Sequence, residues 1–282
     1  MSHNDAVPVP NVIKHEIHPY RSSALRQAEV MQLLVQHGRV LVAELAVKFS
    51  VSEMTIRRDL IEMEQKNNLQ RIHGGAVLAE PGNTVIIDNI EPGFEARLLH
   101  NHAAKLSIAA AAAELVKGAR TLALDVGSTT FLAAQHLSQY AHLTIFTNSI
   151  RVAHDFTSAK ATLYIAGGRM RQDEMSTGGS AAIRQFSSLW FDVAFVGVSG
   201  LTPEGIYDYS FEDAELKRLY LSRSSQKIVL CDSSKFQRMS LVHLATLEQI
   251  DILITEKSPP QALSAILEAA NIKVIIAPVY SV

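Results

Sequence analysis

Two adjacent arginines, Arg57 and Arg58, follow Thr55 in a stretch whose apolar residues are spaced for one face of a helix. Ser52 is a favourable N-cap for that helix, because its hydroxyl can accept a backbone N–H of the first turn. The positive end of a helix attracts phosphate, while nearby side chains reach base edges. The chemistry available to these residues is therefore contact with DNA, although a surface helix with two solvated arginines fits this motif alone equally well. The apolar face consists of Ile56, Leu60 and Met63.

Two further helices are predicted before the arginine-bearing one. The first helical pattern stops at Gly38, and the second, shorter one stops at Ser50, where a two-residue turn leads into the next helix. Two helices followed by a turn and a third helix are typical of a helix-turn-helix unit. The apolar positions that carry these patterns are Val30, Leu33 and Leu34 in the first helix, and Val42, Leu45, Ala46 and Phe49 in the second.

A hairpin is predicted downstream of the third helix. Residues 69–73 and 76–78 flank two adjacent glycines at 74–75, and glycine tolerates the positive φ angles of a tight turn. Such a hairpin would be the wing of a winged helix. Arg71 and His73 would lie on it, near the phosphate backbone of DNA.

The stretch from about Leu25 to Leu78 resembles the N-terminal domain of the DeoR family of bacterial transcription regulators. It carries Val-Ser at 51–52, Thr-Ile-Arg-Arg-Asp-Leu at 55–60 and His-Gly-Gly-Ala at 73–76, and this pair of longer motifs at this spacing is highly specific. The resemblance implies a winged helix-turn-helix domain whose partner is a double-stranded DNA operator. The residues expected to contact DNA are Ser52, Thr55, Arg57, Arg58, Arg71 and His73.

The composition fits a folded protein with a small basic region. Of the 282 residues, 48% are hydrophobic, which is enough for a substantial core. The net charge of -2 argues against a protein that coats nucleic acid generally. From Arg21 to Gly75, however, eight Lys and Arg residues face six Asp and Glu residues, so this part is slightly basic while the remainder is acidic. That asymmetry has the direction expected of a DNA-binding head on a neutral body.

Cys231 is the only cysteine, so the chain can form no internal disulfide and no Cys-rich zinc site. The first residues contain no apolar leader, and no run approaches the ~20 apolar residues of a membrane span. The sequence therefore predicts a cytoplasmic protein with neither a metal nor a cofactor.

Beyond the predicted wing, apolar strands alternate with helices, which predicts a mainly parallel sheet covered on both faces. The predicted strands are 121–124, 143–146, 162–166, 193–196, 227–230, 252–254 and 273–276, and the predicted helices include 104–117, 130–138, 212–222 and 261–270. The expected organisation is a flexible arm at 1–20, a winged helix-turn-helix domain at 21–79, a linker at 80–93 and an α/β effector-binding domain at 94–282.

Polar residues follow several of these strands, at the sheet edge where ligands bind in open α/β folds. The first strand runs into Asp125 and Val126, and Gly127 then lets the backbone turn before the three hydroxyl residues at 128–130 begin a helix. A glycine turn at a helix start is the usual setting for a bound phosphate, although it could also be an ordinary N-cap. Lys235, after a later strand, could supply a compact positive charge for the same anion. Other strand ends place 147–149, 167–169 and 197–200 in the expected crevice.

These strand-end motifs resemble the effector domain of the same family, which is similar to ribose-5-phosphate isomerase and binds phosphorylated sugars. The resemblance implies that Ser128, Thr129 and Thr130, with Gly127 and Lys235, hold the phosphate. It implies that Asp125, Asn148, Glu215 and Lys217 face the sugar, with Glu212 or Asp213 as alternatives for the carboxylate. One departure is His102, where the family often has an acidic residue three positions before Lys105.

Three classes of function fit this architecture. The leading one is a transcription regulator, a repressor of a carbohydrate catabolic operon under the control of a sugar phosphate. It would act as a homo-oligomer of even subunit number, because operators mirror protein symmetry. The second is a sugar-phosphate isomerase with a DNA-binding domain, for which Glu215 or Asp192 could be the base, but the isomerase Lys-Gly-Gly-Gly-Gly stretch is absent. The third, a DNA-binding protein without a ligand, leaves the phosphate motif unexplained.

Overall fold

The computed structural model describes residues 23–65, 69–72, 74–78 and 85–279. The chain divides into two compact units, Met1–Ala79 and Glu80–Val282. The arm expected at 1–20 and residues 80–84 of the expected linker lie outside the described residues. Within the described ranges, no helix combines the length and apolar character needed to cross a membrane.

The first unit consists of three helices and a small antiparallel sheet. The apolar positions that predicted the helices are buried together: Val30, Leu34, Leu45, Phe49, Ile56, Leu60 and Met63 all belong to one core. The helices are α1 (Ser23–His37), α2 (Val42–Phe49) and α3 (Glu53–Gln65), and the strands are β1 (Arg39–Leu41), β2 (Leu69–Ile72) and β3 (Gly75–Leu78). The sheet order is β1-β3-β2.

The hairpin differs from the sequence expectation at one glycine. Gly75 was placed in the turn, but it is the first residue of β3 and pairs with Ile72 of β2 and with Leu41 of β1. The reason is the unpredicted strand β1, which runs against the hairpin. A Cβ on Gly75 would lie 2.0 Å from the Val40 carbonyl oxygen, so only glycine permits this approach.

The second unit is built on a parallel sheet, as predicted. Seven strands lie in the order β17-β16-β13-β10-β5-β6-β7, and every neighbouring pair is parallel. Its helices are α4 (Phe94–Leu99), α5 (His102–Leu115), α6 (Ser128–Leu137), α7 (Ile150–Asp155), α8 (Ser180–Phe186), α9 (Phe211–Ser222) and α10 (Gln261–Ala269). The strands of the main sheet are β5 (Thr121–Leu124), β6 (Thr144–Thr147), β7 (Thr162–Ile165), β10 (Phe191–Gly197), β13 (Ser224–Leu230), β16 (Ile252–Thr255) and β17 (Lys273–Ile276).

Helices cover both faces of this sheet because its strands are apolar on both sides. Along β10, Val193 and Phe195 pack with α5, α6 and α7, whereas Ala194 and Val196 pack with α8, α9 and α10. A sheet buried on both faces needs the continuous apolar runs that predicted its strands.

The second unit also contains shorter strands outside the main sheet, which the sequence did not predict. They are β4 (Ile86–Ile87), β8 (Arg169–Arg171), β9 (Ser176–Gly178), β11 (Gly200–Thr202), β12 (Gly205–Asp208), β14 (Arg238–Met239) and β15 (Val242–Ala245). They form a β8-β9 hairpin, a β11-β12-β15 sheet and a parallel β14-β4 pair. They have two to four residues each, and all except the two-residue β4 include a polar residue or a glycine, so they lack the continuous apolar run that predicted the main strands.

The strand order reverses direction between β5 and β10. From β5 the chain proceeds through β6 to β7 on one side, and from β10 it proceeds through β13 and β16 to β17 on the other. At such a switch point the loops after the two central strands separate and leave a crevice. The loops that follow β5 and β10 are therefore the first place to look for a ligand site.

Candidate functional site

The start of α3 has the capped geometry expected of a DNA-reading helix. The Ser52 hydroxyl accepts a hydrogen bond from the Thr55 backbone N–H at 3.2 Å, and the Ser52 and Thr55 hydroxyl oxygens lie 2.9 Å apart. Ile56, Leu60 and Met63 face the core. The cap thus fixes the first turn and leaves the polar residues of the motif on the other surface.

Arg57 and Arg58 are exposed on that surface, with side chains 56% and 83% accessible. Each pairs with a carboxylate one turn away: Arg57 Nη2 lies 2.9 Å from Glu53, and Arg58 Nε lies 3.7 Å from Glu62. Exposed pairs of this kind contribute about 0.3–0.5 kcal/mol. A DNA phosphate or base edge can replace such partners at little cost.

Asp59, which directly follows the two arginines, connects two helices of the first unit. Asp59 is buried, accepts two hydrogen bonds from the Arg26 guanidinium, one of them at 3.0 Å, and accepts another from the Ser23 hydroxyl at 3.0 Å. This pair connects α3 to α1. Within the sequence Arg57-Arg58-Asp59, the two arginines therefore face solvent and the aspartate faces the core.

On the wing, Arg71 is tied to the recognition helix. Its Nε donates to Glu64 Oε2 at 2.9 Å, and its backbone N–H donates to Glu64 Oε1 at 3.1 Å. The side chain remains 39% accessible, so it can still face a phosphate. His73, the other predicted wing contact, lies outside the described residues.

In the second unit, a cleft opens at the switch point, beyond the carboxyl ends of β5, β10 and β13. Its volume is about 570 Å³, including space open to solvent. The described residues that line it are Glu91, Arg97, Lys105, Val126, Gly127, Ser128, Thr129, Glu174, Gly197, Val198, Ser199, Asp208, Tyr209, Asp213, Lys217, Leu230, Asp232 and Lys235. The ends of β6 and β7 do not contribute to this lining, since those strands lie on one side of the switch point.

The predicted phosphate loop forms one wall of the cleft. Gly127 has φ +136°, a conformation that side chains disfavour, and α6 begins at the next residue. Ser128 and Thr129 line the cleft with the free N–H groups of the helix start. Thr130 does not line it: its hydroxyl donates to the Gly127 carbonyl at 3.0 Å and holds the turn from behind. The first turn of α6 can therefore hold an anion, with Thr130 as support.

Two lysines line the same cleft, Lys105 and Lys235, of which the sequence predicted only Lys235 as a ligand residue. Burial lowers the pKa of Lys105 to about 8, against the opposing influence of Asp232. Burial likewise lowers the pKa of Lys235. Although burial opposes it, these two lysines lower the pKa of Asp232. Lys105 and Lys235 thus place two ammonium groups in a partly desolvated part of the cleft, which suits a phosphate.

Lys217 forms a buried cluster with two carboxylates in the second unit. Its Nζ lies 2.9 Å from Asp125 Oδ2 and 2.5 Å from Asp208 Oδ2, and it donates to the Gly197 carbonyl at 2.8 Å. Asp125 Oδ2 also accepts the Gly197 N–H at 3.0 Å. Burial raises the pKa of Asp125 to about 7, and Lys217 opposes that rise. Lys217 and Asp208 reach the cleft, while Asp125 lies beneath its surface.

The structure does not bring Asn148 or Glu215 to the cleft. The Asn148 amide donates to the Thr177 carbonyl at 3.0 Å and accepts the Tyr220 hydroxyl at 3.1 Å, so its polar atoms are satisfied in the core. Glu215 lies on α9 outside the lining. The carboxylate that α9 supplies is Asp213, the alternative left open by the sequence, which pairs with Arg171.

Several lining residues escaped the sequence analysis because they come from distant elements. Arg97 lies on α4, Lys105 on α5, Glu174 between β8 and β9, and Asp208 at the end of β12. Only Lys105 carried a signal, as the single charged residue in the first ten positions of an Ala-rich helix. Among the described residues, no group of His, Cys, Asp and Glu could hold a metal ion.

A helix-turn-helix unit followed by an α/β unit with a polar cleft defines a class of DNA-binding transcription regulators. Residues 26–81 match the DeoR-like helix-turn-helix domain, and residues 100–257 match the DeoR C terminal sensor domain. The chain is 30% identical over 252 residues to the HTH-type transcriptional repressor GlcR of Bacillus subtilis (strain 168), covering 89% of this chain and 95% of the relative. The chain belongs to the DeoR family of transcription regulators.

One further relative and two solved structures have lower identity to this chain. The glycerol-3-phosphate regulon repressor of Escherichia coli (strain K12) is 28% identical over 250 residues, covering 88% of this chain and 96% of the relative. A DeoR family regulator from Listeria monocytogenes has a TM-score of 0.34 at 14% identity, covering 76% of this chain and 93% of that one. Ribose 5-phosphate isomerase A from Methanocaldococcus jannaschii has a TM-score of 0.37 at 18% identity, covering 48% and 55%. These TM-scores are too low to bear on function.

Proposed function

We propose that this regulator is a repressor of a carbohydrate catabolic operon whose affinity for DNA is controlled by a phosphorylated sugar or a related metabolite. The observation that carries the proposal is the cleft at the switch point, whose lining includes a glycine turn, a helix start, Lys105 and Lys235. A phosphate monoester has three strong acceptor oxygens and a charge near -2 at neutral pH, which matches backbone N–H donors and ammonium groups.

The remaining lining suits the polyol part of such a ligand. Asp208, Asp213 and Ser199 present carboxylate and hydroxyl oxygens on the same cleft. Ser199 lines the cleft, and its buried hydroxyl has no hydrogen-bond partner among the described residues, so a ligand hydroxyl that reached it would supply the missing partner. One relative is named for a glycerol-3-phosphate regulon, which supports a small phosphorylated polyol as the ligand class.

A thermal-shift screen with sugar phosphates and their free sugars tests this proposal. The phosphorylated form of the ligand should stabilise the protein by ~2.7 kcal/mol at a hundredfold excess over its dissociation constant, whereas the free sugar should not. Lys235→Ala should sharply reduce the stabilisation. Lys257→Ala, which removes an exposed lysine outside the cleft, is the matched control.

Two results would count against the proposal. Equal stabilisation by free and phosphorylated sugars would remove the argument from the phosphate wall. Loss of DNA binding in Lys235→Ala without ligand would assign that lysine a folding role, because it belongs to the other unit.

The arrangement favours binding without turnover. Of the two residues considered as an isomerase base, Glu215 does not line the cleft, and Asp192 lies near the start of β10, at the opposite end of that strand. Asp192 also accepts the Arg120 and Thr121 backbone N–H groups, which lower its pKa. Incubation with ribose 5-phosphate followed by product analysis should show no conversion, and turnover on the order of 1 s⁻¹ would instead indicate an enzyme.

Operator recognition by a two-fold symmetric assembly is part of the proposal. Winged helices read half-sites whose symmetry mirrors that of the protein. Light scattering on the purified protein should give an even number of subunits. A stable monomer on operator DNA would contradict this expectation.

A further inference from the structure

A short segment at the beginning of the second unit is attached beside the cleft. We call Ile86–Gly93 the strap. Its Ile86 N–H donates to the Gln237 carbonyl at 2.8 Å, and its Asp88 N–H donates to the Met239 carbonyl at 2.8 Å, so β4 pairs with β14. The Lys235 of the cleft precedes β14 by three residues. The strap is therefore hydrogen-bonded to the continuation of the loop that carries a ligand lysine.

A side chain gives the strap a second attachment. The Asp88 carboxylate accepts the Tyr209 hydroxyl at 2.9 Å and Arg238 Nη1 at 3.1 Å. Tyr209 lines the cleft, but Asp88 does not. Asp88 thus holds the strap without offering a charge to a ligand.

The third attachment lies inside the cleft. Glu91 of the strap pairs with Arg171 and lies 3.5 Å from Arg97 Nη1, and both Glu91 and Arg97 line the cleft. Arg97 also pairs with the buried Glu174. Arg97 Nε is buried and has no acceptor among the described residues, so Glu91 and Glu174 are the carboxylates that pair with this guanidinium. Arg97 interacts electrostatically with Lys105 and Lys235, which places it with the cationic groups.

The cleft lining has four cationic side chains and five carboxylates, and Glu91 is the carboxylate that the strap contributes. A phosphate can engage a guanidinium with two parallel hydrogen bonds, and it carries more charge than one carboxylate. An anionic ligand near Lys105 and Lys235 competes with Glu91 for Arg97. Because Glu91 belongs to the strap, the competition acts on the strap's attachment.

Resting on the proposed function, we propose that the strap reports occupancy of the cleft: an anionic effector displaces Glu91 from Arg97 and loosens the strap from β14. By linkage, the factor by which bound effector favours detachment of the strap is also the factor by which detachment of the strap favours effector binding.

Hydrogen exchange and phosphate titration of the full chain test this proposal, with Glu91→Gln as the first variant. Without ligand, the amides of Ile86 and Asp88 should exchange faster in Glu91→Gln than in the wild type. Inorganic phosphate should bind the variant at least about fivefold more tightly, the lower end of usual coupling factors. Saturating phosphate should accelerate the same amides in the wild type.

Two further variants separate the strap from simple electrostatics. Asp88→Asn weakens an attachment outside the cleft, so it should tighten phosphate binding through the strap alone, and it keeps the test available if Glu91→Gln does not fold. Glu95→Gln is the matched control, because Glu95 is exposed, pairs with Arg151 at 3.4 Å and does not line the cleft. It should behave as the wild type in both measurements.

The outcomes distinguish this inference from the function on which it rests. If neither inorganic phosphate nor any sugar phosphate binds the wild type, the proposed function fails and the strap inference fails with it. If phosphate binds the wild type but binds Asp88→Asn and Glu91→Gln no more tightly, the proposed function stands and the strap inference is wrong. Unchanged amide exchange in both variants would also overturn it.

Discussion

The two units use ion pairs in opposite ways. On α3 of the first unit, Arg57 and Arg58 are 56% and 83% accessible and are paired with carboxylates one turn away. In the second unit, Lys217 is 6% accessible and lies between Asp125 and Asp208. Exposure decides how strongly the two charges of such a pair attract each other. Water screens the attraction in an exposed pair and screens it much less in a buried pair. The exposed arginines can therefore exchange their carboxylates for another partner, whereas the buried lysine stays bound to its two carboxylates beside the cleft.

The first unit contains one buried pair as well, which shows that the difference is one of position. Asp59 and Arg26 are 3% and 6% accessible, and they join α3 to α1 below the exposed arginines. The buried Asp59–Arg26 pair thus fixes the helix that presents Arg57 and Arg58 to solvent. In the second unit, the buried cluster lies directly beside the ligand cleft.

The largest effect should come from removing the buried cation of the second unit. Lys217→Met leaves two carboxylates buried without their cation, so the free energy of unfolding should fall by about 3–5 kcal/mol. Urea denaturation followed by the fluorescence of Trp190, the only tryptophan, reports on this unit. Lys227→Met is the matched control, since Lys227 and Asp251 form a more exposed pair and should contribute less than about 1 kcal/mol. Equal losses in the two variants would contradict the comparison.

Removing an exposed arginine should affect DNA binding and leave stability nearly unchanged. We assign Arg58 to a base and Arg57 to the backbone, because Arg58 is farther from the apolar stripe and more exposed. Arg58→Ala should cost about 1–3 kcal/mol of operator affinity and relax specificity at one position. Arg57→Ala should weaken all sequences alike. Anisotropy titrations on the operator and on single-base variants measure both, and no change in either variant would show that the recognition helix is misplaced.

The cleft should show a pH dependence that the exposed arginines lack. Burial lowers the pKa of Lys105 to about 8, so this ammonium loses its proton as the pH rises above that value. A bound phosphate favours the charged form, so affinity for a sugar phosphate should fall by up to about fivefold between pH 8 and pH 9. Lys105→Met should bind more weakly at pH 7 and lose this dependence. Calorimetric titrations at both values test it, and an unchanged slope in the variant would assign the effect to another group.

The smallest effect should come from an exposed partner on α3. Glu53→Gln removes the carboxylate that lies 2.9 Å from Arg57, which should lower the free energy of unfolding by about 0.3–0.5 kcal/mol. Operator affinity should rise slightly, because Arg57 no longer has to leave the Glu53 carboxylate when it binds a DNA phosphate. A loss of stability comparable with that of Lys217→Met would show that exposure does not decide the role of these pairs.

The fold could be predicted from the sequence wherever apolar periodicity was long enough. The seven parallel strands and the three helices of the first unit follow such patterns, whereas β1 and β4 are too short to produce one. The cleft was predicted at strand ends, but its membership depends on strand order. Asn148 follows β6 and is buried away from the cleft, because the switch point lies between β5 and β10. Glu91 and Arg97 could not be found, since only tertiary packing brings them to the cleft.

The switch point also governs the order in which the second unit can assemble during synthesis. β5 has β6 on one side, made soon afterwards, but its other neighbour is β10, and Leu122 pairs opposite Val193. At translation rates of about 5–20 residues per second, the roughly 70 intervening residues take on the order of 4–14 s to emerge. During that interval the nascent chain contains β5 with one edge unpaired, because β10 has not yet been synthesised. The DNA-binding unit has already been synthesised by then. A nascent chain paused before Phe191 is therefore the species in which we expect this regulator to depend most on chaperones.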